Sequence, residues 1–135
     1  MIVVLDTNVV VSALLKPGGV CGQILAALAK GRFAACVCND ILLEYAGVLN
    51  RPHLKIESAD AAYVMELFLE VALNVAGGAE LAGLPDPDDE VFLATASAGA
   101  VDYLVSGNLR HFPAQLCRGV RVISPAEFLK LLRAG

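Results

Sequence analysis

Four short segments carry the residue types that handle phosphate and divalent cations. Asp6 follows the apolar run Ile2-Val3-Val4-Leu5 and precedes Thr7 and Asn8. A carboxylate there lies at the carboxyl end of a strand, the edge where open α/β sheets bind ligands. It can equally cap the turn into the next helix. Glu44 stands in Ile41-Leu42-Leu43-Glu44-Tyr45. If its neighbours are buried, it needs a partner or a cation; on a solvent-facing stripe it needs neither. Asp86, Asp88, Asp89 and Glu90 crowd four acids into five residues. A helix N-terminus offsets part of their repulsion, and a divalent cation offsets more. The expected division is that Asp86 caps, Asp88 faces solvent, and Asp89 lies one turn in, available to a site. Ser106-Gly107-Asn108-Leu109-Arg110-His111 follows a further apolar run, Tyr103-Leu104-Val105. Gly107 permits an unusual turn, Asn108 offers oxygen and amide groups, and Arg110 and His111 can reach phosphate. An ordinary turn uses the same residues.

The elements that must position these groups alternate in type. Strand-like runs fall at Ile2–Leu5, Ala35–Cys38, Ala72–Ala76, Tyr103–Ser106 and Val120–Ile123. They are apolar on both faces, which favours a parallel sheet covered on both sides. Helical patterns fall at Gly22–Ala29, Asp40–Leu49, Ala61–Val71, Pro87–Ala98 and Pro125–Leu132. Ser124-Pro125-Ala126-Glu127 has the form of a capping box, and Asp86-Pro87 opens a helix in a similar way. Gly77-Gly78 and Gly83–Pro85 mark loops. The βα alternation predicts an α/β fold. In a parallel sheet the strand ends converge on one edge, so three carboxylates and an amide would meet there. That is an oxygen site for a hard cation such as Mg²⁺ or Mn²⁺.

Composition narrows the function classes. The chain has 135 residues, 57% of them hydrophobic and 18% charged. Its length predicts one domain over residues 1–135, and its composition excludes disorder as the main state. The net charge of −4 excludes a polybasic coat for nucleic acid. It does not exclude a protein that acts on one phosphodiester. Setting aside Asp6, Glu44 and Asp89 leaves 11 acids against 10 bases, so much of the acidity belongs to one pocket. Lys16, Arg51, His53, Lys55, Arg110 and His111 are the candidates for phosphate contact. No Gly-rich phosphate loop follows the first strand. Cys36 and Cys38 would face the same side of the sheet, and neither they nor Cys21 and Cys117 have zinc or redox spacing. Met1 leads straight into an apolar strand with no signal-like region, and no apolar run is long enough to cross a bilayer. The expectation is a cytoplasmic protein with no membrane partner and with reduced thiols.

In order and spacing, these segments resemble the PIN domain family. The carriers are Val4-Leu5-Asp6-Thr7-Asn8-Val9, then Ile41-Leu42-Leu43-Glu44-Tyr45 in the second helical pattern. Next come Asp86-Pro87-Asp88-Asp89-Glu90-Val91-Phe92-Leu93-Ala94-Thr95-Ala96 and Asp102-Tyr103-Leu104-Val105-Ser106-Gly107-Asn108-Leu109-Arg110-His111-Phe112-Pro113. The similarity is greatest to single-domain prokaryotic members, the VapC-like ribonucleases that act as toxins of toxin–antitoxin pairs. Lys16-Pro17-Gly18-Gly19 resembles a loop of that subgroup.

The resemblance implies a three-layer αβα sandwich around a parallel sheet, and Mg²⁺- or Mn²⁺-dependent hydrolysis of single-stranded RNA. By position, Asp6, Glu44 and Asp89 match the family's metal-binding acids. Asn108 stands where many members have a further Asp, and Ser106 where many have Thr. Asp6 and Asp89 would hold the ion, with Glu44 completing the pocket. Asn108 and Ser106 would orient ligands or the attacking water, with Thr7 and Asn8 in support. Lys16, Arg110 and His111 would contact RNA. A homodimer and a cognate antitoxin are the implied protein partners. The competing expectation, from Asn108, is a degenerate module that binds RNA or protein without cutting.

Overall fold

The computed structural model describes residues 1–76 and 81–135, so the loop expected at Gly77-Gly78 lies outside the described residues. Among the described residues five strands form one sheet: β1 (Ile2–Leu5), β2 (Ala34–Val37), β3 (Leu73–Asn74), β4 (Tyr103–Val105) and β5 (Val122–Ile123). Their order is β3-β2-β1-β4-β5, with every pairing parallel. Among the described residues six α-helices flank the sheet: α1 (Thr7–Leu15), α2 (Val20–Ala29), α3 (Asn39–Leu49), α4 (Ser58–Val71), α5 (Glu90–Ala98) and α6 (Pro125–Ala134). Val3, Val4 and Leu5 are each at most 1% exposed although successive side chains point to opposite faces. Both faces of the central strand are therefore covered, and the architecture is the three-layer αβα sandwich.

The chain builds outward from β1 to β2 and β3, then crosses to the other side of β1 for β4 and β5. The order thus reverses between β1 and β4, where Leu5 pairs with Val105. A crevice opens at such a switch point, outside the carboxyl ends of the strands. Asp6 and Ser106 are the residues that immediately follow these two strands.

Several expectations need correction. α1 was not among the helical patterns; Val9, Val10 and Val11 form a β-branched run that reads as strand, yet Val9, Val10 and Ala13 pack as a buried helical face. The strand expected over Ala72–Ala76 shrinks to Leu73 and Asn74, both exposed, because β3 is an edge strand. The strand expected from Val120 keeps only Val122 and Ile123. β2 ends one residue early, and Cys38 becomes the residue before α3. The expected helix over Pro87–Ala98 divides into a 3₁₀ turn at Pro87–Asp89 and α5. At α6 the Ser124 hydroxyl accepts from the Glu127 amide at 3.2 Å, while the Glu127 carboxylate takes the Ser124 hydroxyl rather than the Ser124 amide, so only half of the capping box forms. Among the described residues no single helix is long and apolar enough to cross a membrane.

Candidate functional site

β1 delivers Asp6 to the crevice, and its neighbours fix the carboxylate there. Asp6 occupies the N-cap position of α1 but makes no side-chain cap bond. Its Oδ2 instead accepts from Ser106 Oγ at 2.7 Å and from Asn8 Nδ2 at 3.3 Å. Ser106 Oγ accepts in turn from the Asn108 amide at 2.9 Å. Asn8 Oδ1 takes the Gly107 amide at 3.0 Å. The ends of β1 and β4 are thereby laced by side chains as well as by the Asp6 amide on the Val105 carbonyl, at 2.9 Å. Gly107 does not have a positive φ, and a Cβ there would meet Asn8 Oδ1 at 3.4 Å, an ordinary contact. The expected unusual turn is therefore absent at this position.

α3 brings Glu44 to the same place. Ile41 and Tyr45 are buried, whereas Leu43 is 70% exposed, so the helix is less enclosed around Glu44 than its apolar sequence suggests. Glu44 is half-buried at the crevice wall and accepts a hydrogen bond from the Thr7 hydroxyl. Tyr45, the next residue, donates its hydroxyl to the Leu5 carbonyl and so ties α3 to the last residue of β1.

The 3₁₀ turn before α5 delivers Asp89. Asp86 Oδ1 accepts from the Asp88 amide at 2.9 Å and sets the turn, as expected of a cap. Glu90 accepts from the amides of Ala82, Gly83 and Leu84 at 2.8–3.0 Å, pinning the preceding loop to the start of α5. Asp88 is exposed and Asp89 is buried. His111 Nδ1 lies 2.9 Å from Asp89 Oδ2. That is ion-pair distance, and the imidazole is the partner of this otherwise unbonded buried oxygen.

Together these groups line a cleft of about 400 Å³ that holds Asp6, Glu44, Asp86, Asp88 and Asp89, with Asn108 and His111 on the β4 side. Arg51 and His53 also line it, at the end of α3. Lys16 and Arg110 are exposed and are not among its lining residues. Lys16 follows the far end of α1 from Asp6. Asp86 was assigned only a capping role by sequence, yet it faces the cleft as well. Its donor atom, with those of Asp89 and His111, lies within a mutual 4.8 Å. Its position one turn before Asp89 was the available signal.

Crowded acids make this cleft a demanding place for negative charge. Burial raises the Asp6 carboxyl above its ordinary range, and the Ser106 hydrogen bond offsets part of that. Glu44 is raised by burial and by the charges of Asp6 and Asp88, against the Thr7 bond. Asp89 is raised from 3.8 to about 6, by burial and the Asp6 charge, with His111 acting the other way. A cation in the cleft would relieve all three. The donor chemistry suits one: carboxylates from Asp6, Glu44, Asp86 and Asp89 line a single cleft.

The comparisons agree with this architecture. The profile of the PIN domain family matches residues 2–110, which include Asp6, Glu44, Asp86, Asp88 and Asp89. Among solved structures, that of VapBC2 from Rickettsia felis, bound to a DNA fragment from their promoter, superposes with a TM-score of 0.63 at 18% identity. The match covers 92% of this chain and 98% of that one. A comparison with curated proteins finds no match.

Proposed function

The chain belongs to the PIN domain family, and on that premise we propose that it is a divalent-metal-dependent nuclease that hydrolyses phosphodiester bonds of single-stranded RNA. What supports this most is the convergence of Asp6, Glu44 and Asp89 from three separate elements on one cleft at the switch point. The carboxylates of Asp86 and Asp89, whose donor atoms lie with that of His111 within 4.8 Å of one another, fit a cation in that cleft.

Asp6 and Asp89 would hold the ion, Mg²⁺ or Mn²⁺, with Glu44 completing the pocket. When bound, the ion would supply Lewis acidity toward the phosphate and lower the pKa of a water. Ser106 and Asn8 fix the Asp6 carboxylate in one orientation through their hydrogen bonds. Thr7 does the same for Glu44. Asn108 faces the cleft without charge and orients substrate or water. Arg51 and His53 on the opposite lip contact the RNA backbone, with Lys16 and Arg110 reaching phosphates farther along the strand.

In the cell this activity belongs to a toxin, held in check by a cognate antitoxin. The likeness of the fold to the toxin–antitoxin complex VapBC2 supports that assignment. The active species is a homodimer of single-domain chains, working in the cytoplasm. Purified protein should cut single-stranded RNA with Mg²⁺ or Mn²⁺ and lose that activity with EDTA or in Asp6→Ala. Activity unchanged by both would sink the proposal. Asn108, an uncharged residue at a position where similarity leads one to expect an acid, favours the second reading, a module that binds without cutting. Metal binding with no cleavage at any metal concentration would select it.

A further inference from the structure

We propose that a recess lined by Lys30, Arg32 and Arg133, at the edge of the sheet opposite the acidic cleft, binds backbone phosphates of single-stranded RNA. The inference rests on the RNA reading above and adds a second place at which the strand is held.

The recess is built where α2 and α6 end. α2 closes in a Schellman turn: Gly31 takes φ +73°, its amide donates to the Leu28 carbonyl, and the Arg32 amide donates to the Ala27 carbonyl, both at 3.0 Å. Lys30 and Arg32 are thereby set on either side of a left-handed glycine. They lie just before β2, so they stand at the amino ends of the strands, whereas the cleft stands at the carboxyl ends. Phe33, the next residue, packs edge-on against Phe128 of α6 with ring centroids 5.0 Å apart. That contact brings the end of α6 alongside, and Arg32 Nη2 donates to the Leu132 carbonyl at 3.1 Å. Arg133 Nη2 donates across to Gln23 Oε1 on α2. The three cations surround a recess of about 190 Å³ whose walls are tied together from both helices.

Their charge is not balanced locally. Among the described residues no carboxylate lines the recess, and none of the three cations makes an ion pair. Each helix C-terminus carries about half a negative charge, so the two ends offset only about one of the three cations. An excess of positive charge thus gathers at one point of a chain whose net charge is −4. Each guanidinium has five N–H donors in a planar fork that matches phosphate oxygens. The cleft itself holds a polyanion poorly, since it presents Asp6, Glu44, Asp86, Asp88 and Asp89 to the strand. A strand long enough to run round the domain gains at the recess the cationic hold that the cleft lacks.

The test is fluorescence-anisotropy titration of a long labelled oligouridine with the intact protein in EDTA, where binding is read without cleavage, over a series of KCl concentrations. Lys30→Gln/Arg133→Gln should lower affinity at least about threefold and flatten the log–log salt slope by about 1.4, since each lost single-strand phosphate contact removes about 0.7. Arg32 is kept because it holds the Leu132 carbonyl. Lys30→Gln alone should flatten the slope by about 0.7 and decides the matter if the double variant fails to fold. Lys130→Gln removes one exposed charge from α6 outside the recess and should leave the slope unchanged. An unchanged slope in the double variant would overturn the inference, leave the recess to another anion such as an acidic peptide, and leave the cleft proposal standing. A slope flattened as much by Lys130→Gln as by Lys30→Gln would overturn it too, because general charge would then account for the effect. No oligouridine bound by the wild type at low salt, with or without Mn²⁺, would overturn both this inference and the RNA reading.

Discussion

Ser106 Oγ and Asp6 Oδ2, 100 residues apart in sequence, are 2.7 Å apart across the ends of β4 and β1. Ser106 is fully buried and its oxygen is shared with the Asn108 amide, so one hydroxyl orients the Asp6 carboxylate and anchors the turn that carries Asn108 and His111. Ser106→Ala should cost about 1–3 kcal/mol, as for a buried hydrogen bond to a charged group. It should also push the Asp6 carboxyl higher, since this bond is the largest influence holding it down. Urea unfolding and Mn²⁺ titration at pH 6 and 8 measure both effects. A loss of affinity equal at the two pH values would contradict the second.

Asp6→Asn should separate stability from function. It removes a buried charge that burial disfavours and keeps a side chain of the same shape. The metal-free variant should melt about 2–4 °C higher than the wild type and gain nothing from added Mn²⁺. A variant that melts lower without metal would show that the carboxylate is better satisfied than its burial implies.

Asp89 links stability to pH. Its carboxyl rises from 3.8 to about 6 in the folded chain, so the fold holds this proton more tightly than the unfolded chain does. The stabilisation is complete below pH 4 and is lost as pH climbs through about 6. Without metal, the melting temperature of the wild type should fall between pH 5 and 7 relative to that of Asp89→Asn. Mn²⁺ should raise the wild-type value more at pH 7.5 than at pH 5, because the cation competes with that proton. Melting curves across this range with and without Mn²⁺ test the sign.

Glu90 predicts the opposite pH response. Its carboxylate accepts three amides and sits below its ordinary range for that reason. Its contribution is present above the unfolded value near 4.5 and is lost as pH falls through the lower folded value. Glu90→Gln should speed hydrogen exchange at Ala82, Gly83 and Leu84 at pH 7, while leaving Val3 to Leu5 protected. Uniform loss of protection would mean that the contact supports the whole fold rather than the loop that leads to Asp86.

Tyr45→Phe deletes one hydroxyl and nothing else. The side chain is fully buried, its ring lies 5.0 Å from that of Phe68, and its hydroxyl serves the Leu5 carbonyl. Loss of that donor should destabilise the chain by about 1–2 kcal/mol with little change in metal affinity. A drop in affinity as large as that of Asp6→Asn would mean that the Tyr45 bond positions Asp6 rather than merely supporting β1.

How legible the molecule was in its sequence depended on where each element sits. β1 and β4 stand out because central strands are apolar on both faces, whereas β3 and β5 lie at the sheet edges and keep only two paired residues each. α1 hid behind three consecutive valines. The meeting of Asp6, Glu44 and Asp89 at one cleft was expected because strand ends converge at one edge of a parallel sheet and because these acids match the positions of the resembled family. The approach of His111 to Asp89 did not, because it depends on a 3₁₀ turn and on Phe112 being drawn into the core. Asp86 was obscured by its capping role, because one carboxylate oxygen sets the turn while the residue also faces the cleft.

The parallel pairing of β1 with β4 also bears on when the protein can act. Asp6 and its partner Ser106 are separated by 100 residues of chain. Contacts of such sequence separation close late and slowly. A folding chain therefore keeps its acids scattered until β4 slots in beside β1, so the cleft assembles only with the sheet itself.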